Sequence, residues 1–346
     1  VLIGVPLLIN LGFAPLRAAL LSVLGLVISA WGSMAPGTLL ASELVNVPLT
    51  DLGVATAQAN WIAPVISGLL IPFIALDAAS FKERIKQLSV GVAMGLTLSG
   101  FVLISNILLG TPVAGALGSL LNILLMLVFL RIRRQSSPPT VVGVGRSFAP
   151  YVVLIGGLIG SQFIFEPLAS PAIWLGMASI AAFILLGRQS SLPVPTLAKN
   201  AGKLWVSVAI PTGLYMVLGT VFASGGLAEE LAKWFATMGT AFLFLSPFLG
   251  AVGGYITAST TGANAMFITT QAAGANALGV QALPLLGTHN AAASLWCLAS
   301  PVRIEAAYQV AAQHGEVDRK KITGVAVGYV FVTTIAWSLW NMLLLG

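Results

Sequence analysis

Long apolar stretches separated by short polar segments run along the whole chain. Seven of them approach or exceed the roughly 20 residues that an α-helix needs to cross about 30 Å of hydrocarbon. These predicted spans cover residues 61–77, 88–108, 111–130, 148–165, 171–187, 204–222 and 322–345. The pattern therefore predicts an all-α, polytopic membrane protein.

The composition supports this class and excludes others. Apolar residues make up 58% of the 346 positions and charged residues only 8%, whereas a soluble domain carries roughly a quarter charged residues. The chain contains no H-E-x-x-H, G-x-S-x-G or P-loop motif. With two histidines and one cysteine, it predicts neither an enzyme, a metal site, a cofactor nor an ATP-driven pump.

The distribution of charge orients the predicted spans. Basic residues gather in four loops, at 82–86, 131–146, 188–203 and 319–321, and the turns 109–112 and 166–170 between them carry none. The positive-inside rule therefore places the four loops in the cytoplasm. The net charge of +6 then reflects membrane orientation, and no nucleic-acid partner is predicted.

Four further apolar regions, 16–49, 227–255, 257–274 and 280–314, are interrupted by Gly, Pro, Ser, Thr and Asn. Non-helical backbone at membrane depth is tolerated only where it is buried in protein or lines a wet cavity. These interruptions are therefore where we expect a functional site.

Two of the interrupted regions share the pattern S-x-W-x-x-x-[AS]-P, which runs from Ser29 to Pro36 and from Ser294 to Pro301. The basic loops imply that the first copy runs outward and the second inward. Opposed copies are typical of inverted-repeat secondary transporters, whose site lies mid-membrane between the repeats. A chance similarity within an apolar chain is the alternative.

The densest polar cluster inside apolar surroundings follows the Gly- and Pro-containing run 247–254. We expect a re-entrant hairpin near 239–274 whose tip presents a helix N-terminus, a site that favours anions. The alternative is that these hydroxyl groups only hold packed helices together. The predicted binding residues at the tip are Ser259, Thr260, Thr261, Gly262 and Asn264.

A second cluster, Thr288, His289 and Asn290, lies in the interrupted span near 280–314. We predict a helix break there that faces the hairpin tip. His289 is a candidate proton carrier because histidine titrates near neutral pH, and the alternative is an ordinary hydrogen-bonded histidine.

Three charged residues complete the candidate site. Arg303 is predicted to bind a carboxylate through its planar fork, unless it extends to the cytoplasmic interface. Glu305 and Glu43 are the other candidate proton carriers, because burial raises the pKa of a carboxyl group.

Several of these segments, in the same order along the chain, resemble the bacterial L-lactate permease family. They include SPFLG at 246–250, STTGANAMF at 259–267, Gln271, and residues 4–6, 11–13, 31–36, 149–151 and 300–301. The resemblance implies proton-coupled uptake of L-lactate, D-lactate, glycolate and related 2-hydroxymonocarboxylates at the bacterial inner membrane. It also implies a fold of two inverted halves with paired hairpins and interrupted helices.

We therefore expect the remainder of a first inverted half at 1–130, a basic cytoplasmic linker at 131–147 and a second half at 148–346. The chain opens within an apolar segment without Met, so we expect it to be the later part of a longer protein. The expected partners are a small organic anion, a coupling proton and membrane lipid, and a homo-oligomer is left open. Alternatives are transport of another organic anion or cation/proton exchange on the same fold, and a structural membrane protein without transport.

Overall fold

A computed structural model describes residues 1, 3–76, 80–133, 144–164, 168, 170–186 and 193–346. Throughout these residues the regular secondary structure is helical. The α-helices are α1 Gly4–Asn10, α2 Pro15–Leu24, α3 Pro36–Leu44, α4 Leu49–Asn60, α5 Ile62–Ala75, α6 Phe81–Leu109, α7 Thr111–Ile132, α8 Val144–Ile164, α9 Pro171–Leu186, α10 Val194–Ser224, α11 Leu227–Ala236, α12 Thr240–Thr257, α13 Thr260–Leu278, α14 Ala282–Trp296, α15 Pro301–Ala312 and α16 Arg319–Leu345.

Five helical runs among the described residues are long and apolar enough to cross a membrane, which agrees with the predicted polytopic α-helical class. They are Leu49–Ala75, Phe81–Leu109, Thr111–Ile132, Thr240–Thr257 and Arg319–Leu345. The first run begins twelve residues before the predicted span 61–77, because α4 follows Pro48 and continues into α5 with an interruption only at Trp61. The run Thr240–Thr257 was not predicted as a separate span.

Helices α8, α9 and α10 cover the described parts of the predicted spans 148–165, 171–187 and 204–222. Most of the predicted linker falls on residues 134–143, and Arg188 falls on 187–192. Both segments lie outside the described residues.

Side-chain caps define where two of the long helices begin. The backbone N–H of Glu83 donates to the Ser80 hydroxyl, and the Ser80 N–H donates to the Glu83 carboxylate at 2.7 Å, which forms a capping box for α6. Asp318 accepts from the N–H groups of Lys320 and Lys321 at the start of α16. Both starts lie in predicted cytoplasmic loops, so each capped N-terminus marks where a polar loop turns into an apolar span.

The interrupted regions contain short 3₁₀ segments followed by a proline that starts a new helix. The segment Ser29–Met34 leads to Pro36, and Cys297–Ala299 leads to Pro301. Proline fits the first position of a helix, where no N–H is needed, and is unfavourable further inside one, where it removes a backbone hydrogen bond. A third interruption separates α12 from α13 at Ala258, whose φ of 52° lies in the left-handed region.

The helix break that the sequence predicted at 287–291 is wrong, because α14 is continuous from Ala282 to Trp296. Gly287, Thr288 and Asn290 lower helix propensity without removing a backbone hydrogen bond, so tertiary packing retains the helix. The break lies instead at Cys297–Ser300, directly before Pro301.

Helix α14 forms the centre of the fold and packs against α4, α12, α13 and α16. Its residues from Leu285 to Leu295 are all buried. Around it, the Trp337 indole N–H donates to the Ala59 carbonyl at 2.8 Å, and the Tyr329 hydroxyl donates to the Ala63 carbonyl at 2.9 Å. These bonds join α16 to the α4–α5 run and enclose α14.

Glycines allow the backbones of α5 and α6 to touch. A Cβ built on Gly91 would collide with the carbonyl of Gly68, and one on Gly95 would lie 2.5 Å from the carbonyl oxygen of Pro64. Small residues promote close helix packing in membranes, where dispersion replaces the hydrophobic effect. The contact therefore depends on the absence of side chains at these positions.

We predict that Gly91→Ala lowers the stability of the purified protein, because the new methyl group must separate two touching backbones. Overpacking of this kind costs about 1–3 kcal/mol, which a thermal unfolding curve detects as a lower midpoint. Gly100→Ala on the same helix is the matched control, since no described atom lies within 4 Å of a Cβ there. Equal midpoints for the two variants would contradict the packing interpretation.

Candidate functional site

A tight turn joins α12 to α13 and presents the predicted hairpin tip. After the left-handed Ala258, the Ser259 hydroxyl caps α13 by accepting from the Gly262 N–H at 3.2 Å. The Thr257 hydroxyl donates to the Gly253 carbonyl at 2.8 Å. Helix α13 therefore begins at Thr260, and Ser259–Asn264 form its cap and first turns.

The start of α3 lies directly against the start of α13. A Cβ built on Gly37 would be 2.8 Å from the Thr260 Cβ and 2.9 Å from the Thr261 nitrogen. The Cys297 thiol donates to the Ala293 carbonyl at 3.2 Å and lies near the Thr260 side chain. The starts of α3 and α13 and the 3₁₀ segment before α15 therefore lie close together.

A buried hydrogen-bond network follows, which we call the asparagine cluster (Thr38, Thr56, Asn264 and Asn290). The Asn264 amide donates to the Asn290 Oδ1 at 2.8 Å and to the Gly37 carbonyl at 2.9 Å. The Asn290 amide donates to the hydroxyl oxygens of Thr38 at 2.9 Å and Thr56 at 3.0 Å. The four side chains come from α3, α4, α13 and α14 and are almost completely buried.

Part of the hydrogen-bonding capacity beside this cluster is unused. The Oδ1 of Asn264 and both ring nitrogens of His289 have no hydrogen-bond partner within the described part of the chain, although both side chains are fully buried. Buried polar atoms are nearly always paired, and a neutral imidazole offers one donor and one acceptor. These atoms are therefore buried hydrogen-bonding positions without a partner in the described part of the chain.

The structure brings together most of the predicted site residues. Ser259, Thr260 and Thr261 are half-buried at the start of α13, while Gly262 and Asn264 are buried. Thr288 is buried on α14 beside His289, and its hydroxyl donates to the Leu285 carbonyl at 2.9 Å. The hydrogen bond between Asn264 and Asn290 is the direct link between the two predicted clusters.

The three charged candidates lie outside this buried cluster. Arg303 is exposed in the first turn of α15, although its charge acts on Cys297. Glu305 pairs with Arg319 at 3.2 Å and accepts from Gln309 at 2.7 Å. Glu43 is exposed near the end of α3. Within the described residues, no group of three or more His, Cys, Asp or Glu side chains comes together as a metal site would require.

Two residues of the asparagine cluster, Thr38 and Thr56, were not predicted from the sequence. Thr38 follows the repeated S-x-W-x-x-x-[AS]-P pattern by two residues, so its proximity to a helix start was a usable signal. Thr56 lies within a continuous apolar helix, where its hydroxyl also donates to the Leu52 carbonyl at 2.7 Å. Nothing in its local sequence separates it from a threonine that only packs.

An apolar cavity of about 600 Å³ borders α4 near Thr56. Its lining comes from α4, α6, α14 and α16 and includes Gln58, Ser99, Pro284 and Trp340. Trp340 makes an edge-to-face contact with Trp61 beside it. No residue of the asparagine cluster belongs to this lining.

An all-helical chain with several candidate membrane spans, and with a buried polar cluster where its helices are interrupted, has the architecture of a membrane transport protein. A sequence model of the L-lactate permease family matches residues 156–344, more than half of the chain. The chain therefore belongs to the L-lactate permease family, as its resemblance predicted. This family consists of transporters rather than enzymes.

Individual relatives are distant. The L-lactate permease of Streptococcus iniae is 23% identical over 77% of this chain, which corresponds to 63% of that protein. The L-lactate permease of Halalkalibacterium halodurans is 23% identical over 98% of this chain and 72% of its own length. The glycolate permease GlcA of Escherichia coli K12 is 31% identical over 30% of this chain and 19% of its own length. No solved structure matches the chain.

We predict that the hydrogen bond between Asn264 and Asn290 contributes measurably to stability. In a double-mutant cycle with Asn264→Ala and Asn290→Ala, the losses in unfolding free energy should be non-additive by about 1 kcal/mol, the typical net value of such a bond. Chemical or thermal unfolding of the purified variants measures this. Strict additivity would mean that the two amides do not act together.

Proposed function

We propose that the full-length protein is a secondary active transporter that takes up small 2-hydroxymonocarboxylates together with protons across the bacterial inner membrane. Membership of the L-lactate permease family supports this proposal, as do the similar proteins, which are L-lactate and glycolate permeases. The single observation that carries it is the Asn264–Asn290 hydrogen bond, because it assembles a polar centre from separate helices within an apolar protein.

In this proposal the substrate carboxylate binds where α3 and α13 begin. A helix N-terminus exposes unpaired N–H groups and carries a partial positive charge. Two such ends meet at Gly37, Thr260 and Thr261, so they attract an anion without a formal cation. Ser259 and Thr260 add hydroxyl donors at the same place.

The substrate hydroxyl would bind at the asparagine cluster, one to two helical turns further along α13. Asn264 retains an unpaired acceptor oxygen, and Asn290 on α14 contacts Asn264 through the hydrogen bond at 2.8 Å, with Thr288 two residues earlier on the same helix. An amide offers both a donor and an acceptor, which suits a hydroxyl group. Arg303 would assist from the exposed side by attracting the anion towards the site.

His289 is the proton carrier that the geometry favours. It is fully buried beside the cluster, and neither ring nitrogen bonds to any described residue. Glu305 is instead paired with Arg319, and Glu43 is exposed. A proton on His289 would offset the charge of a bound carboxylate in a medium of low dielectric constant, where opposite charges attract strongly.

We further propose that the two copies of the S-x-W-x-x-x-[AS]-P pattern are equivalent parts of an inverted repeat with re-entrant hairpins. Each copy forms a 3₁₀ segment before a proline-started helix, and each is followed by a helical run of 27 residues, Leu49–Ala75 and Arg319–Leu345. The hydroxyl of Ser29 donates to the carbonyl of Ser294 at 2.9 Å. These serines are the first residues of the two copies. In a structure with two-fold symmetry, equivalent residues of the two halves contact each other near the axis.

The uptake test uses the full-length protein in proteoliposomes with an acidic exterior and labelled L-lactate. Asn264→Ala should reduce uptake about two- to ten-fold, because a hydrogen bond to a neutral hydroxyl group contributes about 0.5–1.5 kcal/mol. Asn276→Ala is the matched control, since Asn276 lies exposed on the same helix. Unmodified protein that transports no faster than protein-free liposomes would refute the function, and equal uptake by the two variants would refute the site.

Proton coupling is tested separately with His289→Gln. This variant should lose accumulation driven by a pH gradient while it retains exchange of internal for external lactate, because exchange needs no net proton movement. The comparison is His314→Gln, which changes the other histidine at an exposed position. Unchanged pH-driven accumulation in His289→Gln would exclude His289 as the carrier.

A further inference from the structure

A second buried polar cluster lies between α12, α13 and α16, at Ser246, Gln271 and Asn341. We propose that it binds a monovalent cation of the sodium class. The inference goes beyond the proposed function, because cation binding at this site can be measured without any carboxylate substrate.

Both amide side chains in this cluster are anchored to the same turn of α12. The Gln271 Nε2 donates to the Ser246 backbone carbonyl at 2.6 Å. The Asn341 Nδ2 donates to the Ser246 hydroxyl oxygen at 3.0 Å and to the Leu243 carbonyl at 3.4 Å. Because carbonyl oxygens only accept, these contacts determine which end of each amide is the nitrogen.

The amide oxygens at the other ends remain unused. Gln271 Oε1 and Asn341 Oδ1 are buried and have no hydrogen-bond partner among the residues that the structure describes. Both side chains are fully buried. A buried acceptor without a partner is uncommon, and a bound ion or water is a standard reason for one. Here two such acceptors come from different helices that converge on one turn.

The surrounding backbone oxygens of Leu243 and Ser246 accept hydrogen bonds from the side chains of the cluster. Pro247 lies inside α12 and has no N–H, so the Leu243 carbonyl receives no helical hydrogen bond from that position. The Ser246 hydroxyl donates to this carbonyl at 3.2 Å. The donors of Ser246, Gln271 and Asn341 are therefore paired with these oxygens, and the acceptors that remain unpaired in the cluster are the two amide oxygens.

An oxygen set of this kind selects for positive charge and against the anionic substrate. Divalent cations such as Ca²⁺ usually require carboxylate ligands, and α12, α13 and α16 contain no Asp or Glu. Two neutral amide oxygens, with water completing the coordination, instead suit a monovalent ion, as neutral carbonyl oxygens do in sodium-coupled transporters. The chemistry therefore points to Na⁺ rather than to a divalent metal.

The position of the cluster connects it to the asparagine cluster. Gln271 lies two helical turns beyond Asn264 on the same face of α13, about 10 Å along the helix axis. A cation there would attract a carboxylate bound at the start of α13, and by linkage each would raise the affinity for the other. This last step alone rests on the proposed function.

Binding of ²²Na⁺ to the purified full-length protein tests the site directly, with choline as the replacement cation. Saturable binding is expected, and Asn341→Ala or Gln271→Ala should weaken it at least ten-fold. Asn122→Ala is the control, because Asn122 is also a hydrogen-bonded asparagine but accepts from Thr97 between α6 and α7. Absence of saturable ²²Na⁺ binding to the unmodified protein, or equal binding by all variants, would overturn the proposal.

A variant of conserved size separates ion binding from folding. Replacing choline by Na⁺ should raise the thermal unfolding midpoint of the unmodified protein, because an ion that binds only the folded state stabilises it. The midpoint of Asn341→Leu should not respond, whereas a merely structural asparagine would leave the response to Na⁺ equal in both proteins. Lactate uptake under a pH gradient in sodium-free buffer is measured alongside. Uptake without any ²²Na⁺ binding would refute only the cation site, and ²²Na⁺ binding without lactate uptake would refute only the proposed function.

Discussion

The side-chain amides of Asn264 and Asn290 form a hydrogen bond between the first turns of α13 and the middle of α14, in a part of the protein with very few charges. A polar group buried in apolar surroundings is costly unless it is paired, so the two helices are held at the register that pairs these amides. Through Thr38, Thr56 and the Gly37 carbonyl, the same network aligns α3 and α4. The relative positions of α3, α4, α13 and α14 at the site therefore follow from the need to give two buried asparagine side chains hydrogen-bond partners.

This arrangement also requires helices that stop at the right depth. Prolines at the first positions of α3 and α15, and the left-handed Ala258 before α13, end one helical segment and begin another. Each interruption exposes backbone groups that need partners. Because the interruptions meet at Gly37, Thr260 and Cys297, the exposed groups are collected at one place instead of being distributed through the membrane.

Close backbone contact makes such a collection of polar groups compatible with a packed interior. Gly250 and Gly254 on α12 lie against His289 and Ala293 on α14, so a side chain at either position would displace α14. Gly37 has the same role between α3 and α13. In lipid, where apolar side chains gain little from leaving the solvent, packing and internal hydrogen bonds supply the stability. The glycines therefore determine how near the polar side chains approach one another.

The amino-acid sequence by itself determined the helical membrane class, the approximate spans and the polar character of Ser259–Asn264 and Thr288–Asn290, since these depend on local hydrophobicity and residue type. It misplaced the interruption of α14, because packing against four helices stabilises Gly287–Ala291 as helix and only Pro301 removes a backbone donor. It also missed the start of α4 at Leu49 and the role of Thr56. Only the tertiary structure decided that Thr38, Thr56, Asn264 and Asn290 share one network and that Glu305 pairs with Arg319. These contacts join residues that are far apart in the sequence, and the local sequence around a side chain does not determine which distant helix it contacts.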